Sequence, residues 1–489
     1  MQQPSSGVVE ASAPPPRALK DLPGPRPWPV LGNLPQLDLP RMHEQLEAWA
    51  DHYGPVYRLS LGGKPVVVLS DGALIAAILR DRPAGWRRIG VIGSVINEMG
   101  GEGVFTAEGD DWRRQRRLVM SAFDPGHLAR FFPSLVRVTE RLDRQLAEAA
   151  ASGQPIDLQA QLMRYTVDVT AGLAFGSDVN TIEGGSDVLQ AHLDKVFPMI
   201  YRRVNLPFPY WRRFRLPIDR AFDRHLAEVH RAVHRFIAEA RQRMADEPER
   251  AERPADLLEA LLAARDADGS ALSEAQVAGN VLTVLLGGED TTANTLGWAL
   301  YLLHRDREAW DALVAEVDAE AGDERVLQDF ERTRGLDHLE ACLQEAMRLR
   351  PVAPLIFVEP NADTVLGNVP VPKGTTVFCV MRKPATASTL GADATQFRPS
   401  RWYQDGAEST RALNRASMPF GAGPRLCPGR YLALVEMKMV LSLIARNYTL
   451  LDVGTASGEP PAERLAFAMF PVGLRMKLAP RPLRPAPAR

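Results

Sequence analysis

Cysteine is scarce in this sequence of 489 residues, which contains only Cys342, Cys379 and Cys427. Three scattered cysteines are too few for a disulfide framework, and their spacing does not match that of a zinc site. The sequence therefore gives no sign of an oxidising compartment, and we expect a cytoplasmic protein.

Net charge is also nearly absent, because 58 basic residues oppose 60 acidic ones and leave a formal charge of −2. A chain with so little net charge and 45% hydrophobic residues is typical of an ordinary globular protein. We therefore expect no nucleic-acid partner.

Long apolar runs are missing from the first 22 residues, which are rich in Pro, Ser and Ala. A signal peptide or a membrane span needs such a run, so we expect no signal peptide and no membrane anchor. Lysine is rare too, with seven against 51 arginines, a bias that favours a soluble protein from a GC-rich bacterial genome.

The pattern of apolar residues is mostly helical, and no internal repeat or linker divides the chain. We predict one large, mainly α-helical domain over residues 23–478, with a small β-rich subdomain and disordered tails at residues 1–22 and 479–489. Gly62 and Gly63 predict an early β-hairpin between residues 57–61 and 66–69, and short strands are expected at residues 364–380. The main predicted helices cover residues 126–151, 158–174, 218–246, 255–265, 273–304 and 337–349.

Residues 420–429, which surround Cys427, form the most informative segment. Gly421 and Gly423 allow a tight turn and a close approach of the backbone to a flat cofactor. Pro428 suits the first position of a helix, so Cys427 is predicted to lie at a helix N-terminus that lowers its pKa. The alternative is an inert buried cysteine.

A second segment lies within the long helix that begins near Ser273, where Ser273 and Gln276 predict a capping box. Residues 287–292 combine two glycines, two acids and two threonines, all poor choices for a buried helix interior. A hydrogen bond from the Thr291 hydroxyl to the Gly287 carbonyl would loosen the helix and open space beside a ligand. The alternative is a solvated polar patch on a kinked helix.

These segments, taken in order, resemble the cytochrome P-450 superfamily of haem-thiolate monooxygenases. The resemblance implies the cytochrome P-450 fold and haem b bound through Cys427 as the axial ligand of the iron. It further implies that Thr291 hydrogen-bonds the bound dioxygen and that Asp290 relays protons. The other residues assigned to the haem by the resemblance are Arg425, Phe420, Gly421, Gly429, Gly288, Trp112 and Arg116.

The same resemblance assigns a structural role to Glu345, Arg348 and Arg401, as a buried ion-pair network behind the cysteine loop. It also places a substrate pocket in four segments, whose residues are mostly apolar and suit a terpenoid, steroid or fatty acid. The predicted pocket residues are Ile92, Val95, Val284, Leu285, Ala353, Leu355, Ile356, Phe467 and Met469.

Electrons are expected from separate proteins, a ferredoxin or flavodoxin with an NAD(P)H-dependent reductase, because the chain ends about sixty residues after Cys427. An acidic donor would dock on a basic surface near the cysteine. That surface is predicted to contain Arg113, Arg114, Arg117, Arg430 and Lys438. The alternative is a solvated basic helix in an arginine-rich chain.

We therefore predict a monooxygenase that inserts one oxygen atom from O2 into a small apolar substrate. One alternative is a peroxide-driven peroxygenase, although such enzymes commonly lack the pair of Thr291 and Asp290. A non-enzymatic alternative is a haem-binding sensor or electron carrier, which would more often have a second axial His or Met than an open groove beside Gly287 and Gly288.

Overall fold

The computed structural model describes residues 17–123, 125–184, 188–206, 208–266 and 269–482. Most of these residues are helical. The α-helices are α1 Met42–Tyr53, α2 Gly72–Arg80, α3 Gly90–Asn97, α4 Gly109–Ala122, α5 Pro125–Ser152, α6 Leu158–Phe175, α7 Val188–Asn205, α8 Pro217–Asp246, α9 Leu257–Ala263, α10 Glu274–Arg305, α11 Arg307–Ala321, α12 Asp337–Leu349, α13 Arg382–Ala385, α14 Gly406–Ala416 and α15 Arg430–Asn447. The main predicted helices are confirmed within a few residues at each end.

The strands are short, and most of them lie in the C-terminal part of the chain. They are β1 Val56–Leu61, β2 Lys64–Leu69, β3 Trp86–Arg88, β4 Ile156–Asp157, β5 Leu355–Pro360, β6 Thr364–Leu366, β7 Val369–Val371, β8 Thr376–Val380, β9 Tyr448–Thr455, β10 Glu463–Leu465, β11 Met469–Pro471 and β12 Leu474–Pro480. The largest sheet has the order β1-β2-β8-β5-β3, and only its β2–β8 pair is parallel. Gly62 and Gly63 have φ of 57° and 79°, which gives the predicted hairpin its two-residue turn.

Helix α10 forms the centre of the helical part. Its 32 residues span about 48 Å, and they pack against α6, α12 and α15. The predicted capping box is confirmed: the Ser273 hydroxyl accepts from the Gln276 amide at 3.2 Å, and Gln276 accepts from the Ser273 amide at 3.0 Å. Trp298, Leu296 and Leu300 are at most 1% exposed, so the second half of α10 is solid core.

Each end of the described chain makes contacts with the folded domain. Leu22 is 4% exposed among the residues of the large sheet, after a short 3-10 turn at Leu19–Asp21. At the other end, β12 continues to Pro480, and Arg481 pairs with Asp318 at 2.5 Å. Residues 1–16 and 483–489 of the predicted tails lie outside the described residues.

A search of the described helices for membrane spans found none with the length and apolar character to cross a bilayer.

Candidate functional site

The cysteine loop connects a short 3-10 turn at Gly423–Arg425 to α15. Gly421 and Gly423 have φ of 77° and 69°, as the turn prediction requires. A Cβ on Gly423 would lie 2.6 Å from the Arg80 Cα, so the loop is pressed onto α2 there. A Cβ on Gly421 would meet nothing within 4 Å. The two glycines therefore differ: Gly423 fixes the loop to the protein, and Gly421 faces open space.

The backbone of Cys427 is held in this loop, because its amide donates to the Phe420 carbonyl at 2.9 Å. Phe420 is half-buried against the main core. Helix α15 begins at Arg430 with Gly429 as its N-cap, so Pro428 precedes the helix by two residues instead of opening it. The prediction for Pro428 was therefore wrong, because Gly429 takes a non-helical cap conformation first. A Cβ on Gly429 would meet only Phe123, at 3.8 Å.

The environment of the Cys427 thiol favours a positive partner. Burial raises its pKa, and the backbone N–H of Gly429 and the charges of Arg116 and Arg430 only partly oppose that increase. The helix terminus therefore lowers this pKa as predicted, but burial has the larger effect, and the net shift is upward. A buried thiolate is stabilised outright when it binds a metal ion, so this sulfur suits metal ligation better than free ionisation.

Three buried guanidinium groups, those of Arg82, Arg88 and Arg425, lie close to one another near the cysteine loop. Burial and mutual repulsion lower the pKa of Arg88 to about 9 and that of Arg425 to about 10. One carboxylate, Glu108, pairs with Arg425. Buried nitrogens on all three arginines have no hydrogen-bond partner among the described residues. The cluster therefore has an excess of positive charge and unused donors, which fits the two propionates of a haem.

Sequence reasoning missed Arg82 and Arg88. The available signal was their place in an arginine-rich segment between α2 and α3, but the overall arginine bias of the chain makes such a segment inconspicuous. Arg88 also lies over the Phe105 ring, with its Cζ 3.7 Å from the ring centroid.

Trp112 and Arg116, one turn apart on α4, both lie against the cysteine loop. The Trp112 ring is 4.7 Å from the Arg425 Cζ, and Arg116 donates to the Leu426 carbonyl at 2.6 Å. The structure thus brings Cys427, Arg425, Trp112 and Arg116 together.

The two glycines of α10 face in different directions. A Cβ on Gly288 would lie 2.6 Å from the Thr170 hydroxyl on α6, so Gly288, predicted as a cofactor residue, allows close packing of two helices. A Cβ on Gly287 would meet nothing within 4 Å, and Gly287 is exposed. Val284 and Thr291, at helical spacing from Gly287, are partly exposed on the same side. Leu285, predicted for the pocket, is instead 1% exposed in the core.

Side chains compensate for the weakened backbone of α10 at this point. The predicted bond is confirmed: the Thr291 hydroxyl donates to the Gly287 carbonyl at 2.8 Å. Its oxygen lone pairs remain available as acceptors toward the groove. Three further carbonyls of α10 accept from side chains in the same way. These bonds run from Thr166 to the Glu289 carbonyl at 3.0 Å, from Asn294 to the Asp290 carbonyl at 2.7 Å and from Thr295 to the Thr291 carbonyl at 2.8 Å.

Two of the predicted pocket segments lie side by side, because the Met469 amide donates to the Val352 carbonyl at 2.8 Å. Phe467 contacts Phe197 of α7 at a centroid distance of 5.2 Å. Along β5, Leu355 packs toward the main core, whereas Ile356 packs toward the core of the large sheet. Side chains alternate along a strand, so Ile356 faces away from Leu355 and Phe357, which both pack toward the main core.

The remaining predicted pocket residues differ in exposure. Val95 of α3 and Met469 are wholly buried, Ile92 of α3 is half-buried, and Ala353 in the loop before β5 is exposed.

The structure assembles the predicted network of Glu345, Arg348 and Arg401. Both arginines contact the Glu345 carboxylate at 2.8 Å, and the three side chains are at most 1% exposed. Trp402 adds a hydrogen bond to the same carboxylate at 2.9 Å. Further donors of Arg348 reach the carbonyls of Ala385 and Gln396.

The predicted basic surface is smaller than expected. Lys438 is 5% exposed and is bound to the Thr333 carbonyl at 2.9 Å and to Glu340 at 2.7 Å, so it is removed from the surface. Arg117 pairs with Asp266 at 2.8 Å, and Arg113 pairs with Asp110. Neighbouring acids therefore offset much of the positive charge of α4.

Comparisons with known proteins agree with this geometry. A family model described as cytochrome P450 matches residues 22–478. The chain is similar to the chloroplastic protein LUTEIN DEFICIENT 5 of Arabidopsis thaliana, with 26% identity over 84% of this chain and 69% of that protein. It is 30% identical to the human mitochondrial 25-hydroxyvitamin D-1 alpha hydroxylase, over 88% of this chain and 87% of the relative. It is also 27% identical to a bifunctional cytochrome P450/NADPH–P450 reductase of Gibberella moniliformis, over 94% of this chain but only 40% of that protein.

Proposed function

We propose that this protein oxidises an apolar substrate of the terpenoid, steroid or fatty-acid class. The chain belongs to the cytochrome P450 family and is a haem-dependent monooxygenase. One observation carries the assignment of the site: a partly buried thiol lies near arginines that have more buried charge than their carboxylate partner balances. A sulfur ligand for iron and donors for two propionates are what haem needs from a protein.

The proposed binding residues form two groups, one for the iron of the haem and one for its propionates. Cys427 binds the iron, while Arg82, Arg88 and Arg425 bind the propionates. Trp112 and Arg116 complete that side by packing against the Arg425 guanidinium and the loop carbonyl of Leu426. Haem bound in this way supplies the activation of O2, a chemistry that no side chain provides.

The reaction consumes O2, two electrons and two protons, and it places one oxygen atom in the substrate and the other in water. We assign proton delivery to Asp290, which is 6% exposed on α10 beside Thr291. Thr291 offers an acceptor oxygen at the open face of the helix, because its own proton is donated to Gly287. A positioned acid and hydroxyl of this kind typically accelerate a reaction by about 10² to 10⁴.

The substrate class follows from the apolar character of the open side. Val284 and Gly287 on α10 face it, and Leu355, Phe357 and Phe467 come from the segments that β5 and the β10–β11 region bring together. Apolar walls favour a ligand that leaves little polar surface unpaired.

Electron supply is proposed to come from a separate ferredoxin or flavodoxin with its reductase. Arg430 stacks on the ring of Tyr431, with its Cζ 4.1 Å from the ring centroid, and Tyr431 is 46% exposed. This pair offers the electron donor a contact surface on the cysteine side. One relative is fused to its reductase by name, so a fused donor is the competing arrangement. The relatives described above are eukaryotic and include chloroplast and mitochondrial proteins, so they do not support the predicted bacterial origin or cytoplasmic location.

A carbon monoxide spectrum tests the ligand. Reduced protein with carbon monoxide should show the strongly red-shifted Soret band of thiolate-ligated iron, and Cys427→Ala should abolish it. Cys342→Ala is the matched control, because Cys342 is buried in α12 and the charges that act on it come from Glu316, Asp306 and Glu345 rather than from the loop. An unchanged spectrum for Cys427→Ala would overturn the assignment.

Substrate titration tests the pocket. A panel of one terpenoid, one steroid and one fatty acid should give a spin-state shift with at least one member. Gly287→Phe should weaken that shift, because its side chain would enter the open space beside Gly287. No shift with any member would reject the proposed substrate class.

A further inference from the structure

The side chain of Asp290 is held by a chain of amides that leads to α6. The Asn294 amide nitrogen donates both to the Asp290 carbonyl, at 2.7 Å, and to the Oδ1 atom of its carboxylate. The Asn294 carbonyl oxygen accepts from the Gln159 Nε2 at 3.3 Å. Asp290 and Asn294 are at most 6% exposed, and Gln159 is partly buried near the start of α6.

The orientation of the Asn294 amide is fixed by its partners. An amide presents donors at its nitrogen and acceptors at its oxygen. A rotated Asn294 would turn its oxygen toward two oxygen atoms of Asp290 and its NH2 toward the NH2 of Gln159, which would replace attraction with repulsion at both ends. Asp290 and Gln159 therefore fix, from its two ends, the rotamer in which Asn294 donates to the carboxylate.

We propose that Asn294 and Gln159 are positioning residues for the Asp290 carboxylate. Neutral amides do not titrate at accessible pH, so neither residue carries the proton itself. Their effect is to hold Oδ1 against the helix, so that the carboxylate has one orientation relative to Thr291. This inference rests on the proposed role of Asp290 in proton delivery.

Removing Gln159 takes away the bond that holds the oxygen end of the Asn294 amide, and removing Asn294 takes away its two bonds to Asp290. A misplaced acid delivers protons more slowly, and more of the O2 then leaves as hydrogen peroxide, which takes the same two electrons and two protons without oxidising substrate. We expect Gln159→Leu and Asn294→Leu to lower product formed per electron pair about tenfold, within the loss of up to about 10² expected from a misplacement of 1 Å.

The matched control is Gln161→Leu. Gln161 lies on the same helix two residues from Gln159, and its buried Nε2 has no hydrogen-bond partner among the described residues. It is outside the set of residues assigned to haem, substrate or protons. We expect this variant to keep the coupling of the parent protein, while sharing any general cost of placing Leu in α6.

The experiment measures product and peroxide per NAD(P)H, the solvent isotope effect and the pH profile for four variants: Gln159→Leu, Asn294→Leu, Gln161→Leu and Asp290→Asn. Uncoupling and a larger solvent isotope effect in the first two, with Gln161→Leu unchanged, support the proposal. Combining Asn294→Leu with Asp290→Asn should add no further loss, because Asn294 acts only through Asp290. Additive losses would overturn it.

Two outcomes separate this inference from the proposed function. If Asp290→Asn uncouples the reaction but Gln159→Leu and Asn294→Leu do not, the positioning role is wrong and the role of Asp290 stands. If Asp290→Asn itself leaves coupling unchanged, both fail. A crystal structure of Gln159→Leu gives an independent readout, in which the Asn294 amide or the Asp290 carboxylate should have rotated. An unchanged orientation of both groups contradicts the proposal.

Discussion

Two of the buried charge clusters in the described residues differ in whether the protein itself balances their charge. Around Glu345, one carboxylate takes hydrogen bonds from Arg348, Arg401 and Trp402, and the spare arginine donors reach backbone carbonyls. Around Arg425, by contrast, three guanidinium groups share one carboxylate and keep unused buried donors. The first cluster is complete in the protein chain, whereas the second becomes complete only with an added anion.

The largest expected effect comes from breaking the complete cluster. Glu345→Gln leaves Arg348 as a buried charge without its carboxylate and Arg401 with only Asp393, at 3.3 Å, and we expect a loss of about 3–5 kcal/mol in the free energy of unfolding. Denaturant unfolding measures this. The control is Glu331→Gln, which removes an exposed pair with Arg334 at 2.8 Å and should cost less than about 1 kcal/mol. Equal losses for the two variants would contradict the distinction.

Low pH should break another balanced cluster, the one around Glu463, by protonating its carboxylate. Burial alone would raise the pKa of Glu463, but hydrogen bonds from His43 and Arg382 and the charge of Arg350 lower it to about 2. The unfolded value is higher, so the contribution to stability is full above pH 4.5 and is lost as the pH falls toward 2. We expect that loss to be about 3 kcal/mol.

The measurement is the free energy of unfolding against pH for the parent protein and for Glu463→Gln. The variant should be less stable at neutral pH and should show a shallower decline between pH 4.5 and pH 2. A parallel decline in both proteins would show that other carboxylates dominate in this window.

Removing a charge from the unbalanced arginine cluster should affect haem binding more than folding stability. Arg88→Gln removes one of three repelling charges, so we expect little loss of folding stability but weaker haem retention, by about 10- to 100-fold for a lost charged hydrogen bond of 1.5–3 kcal/mol. Haem transfer to an acceptor protein measures retention. Arg87→Gln is the neighbouring control, since Arg87 pairs with Glu359 at 2.7 Å instead. Faster haem loss from Arg87→Gln than from Arg88→Gln would reverse the assignment.

The smallest expected effect concerns the two neighbouring glycines of α10, because Gly288 is packed against Thr170 and Gly287 faces open space. Gly288→Ala should destabilise the protein by about 1–3 kcal/mol, because its Cβ would meet the Thr170 hydroxyl. Thr170→Ala should relieve that clash in the double variant. Gly287→Ala should instead leave stability almost unchanged and alter the spin-state response to substrates. Thermal unfolding and substrate titration of the three variants separate these results.

Local features of the site could be predicted from the sequence because their partners lie a few residues apart. The capping box at Ser273 and the bond from Thr291 to Gly287 both depend on helical spacing alone. The turn at Gly421 depends on the conformational freedom of glycine. Such interactions are determined before the chain folds onto itself.

The features that could not be predicted depend on contacts between distant parts of the chain. Gly288 meets Thr170, and Gln159 meets Asn294, only because α6 packs along α10. Leu355 and Ile356 were both predicted for the pocket, but they pack toward different cores because side chains alternate along a strand. The proposed role of Arg82 could not be predicted because it depends on folding, which places Arg82 beside Arg425.

The seating of Gly423 against Arg80 ties the cysteine loop to the same helix end from which Arg82 follows. Helix α2 therefore supports both the ligand of the iron and part of the anchor for the propionates. A substitution that shifts α2 slightly should disturb two attachments at once, although it touches neither directly. Such a protein would still fold, but its preparations would be pale.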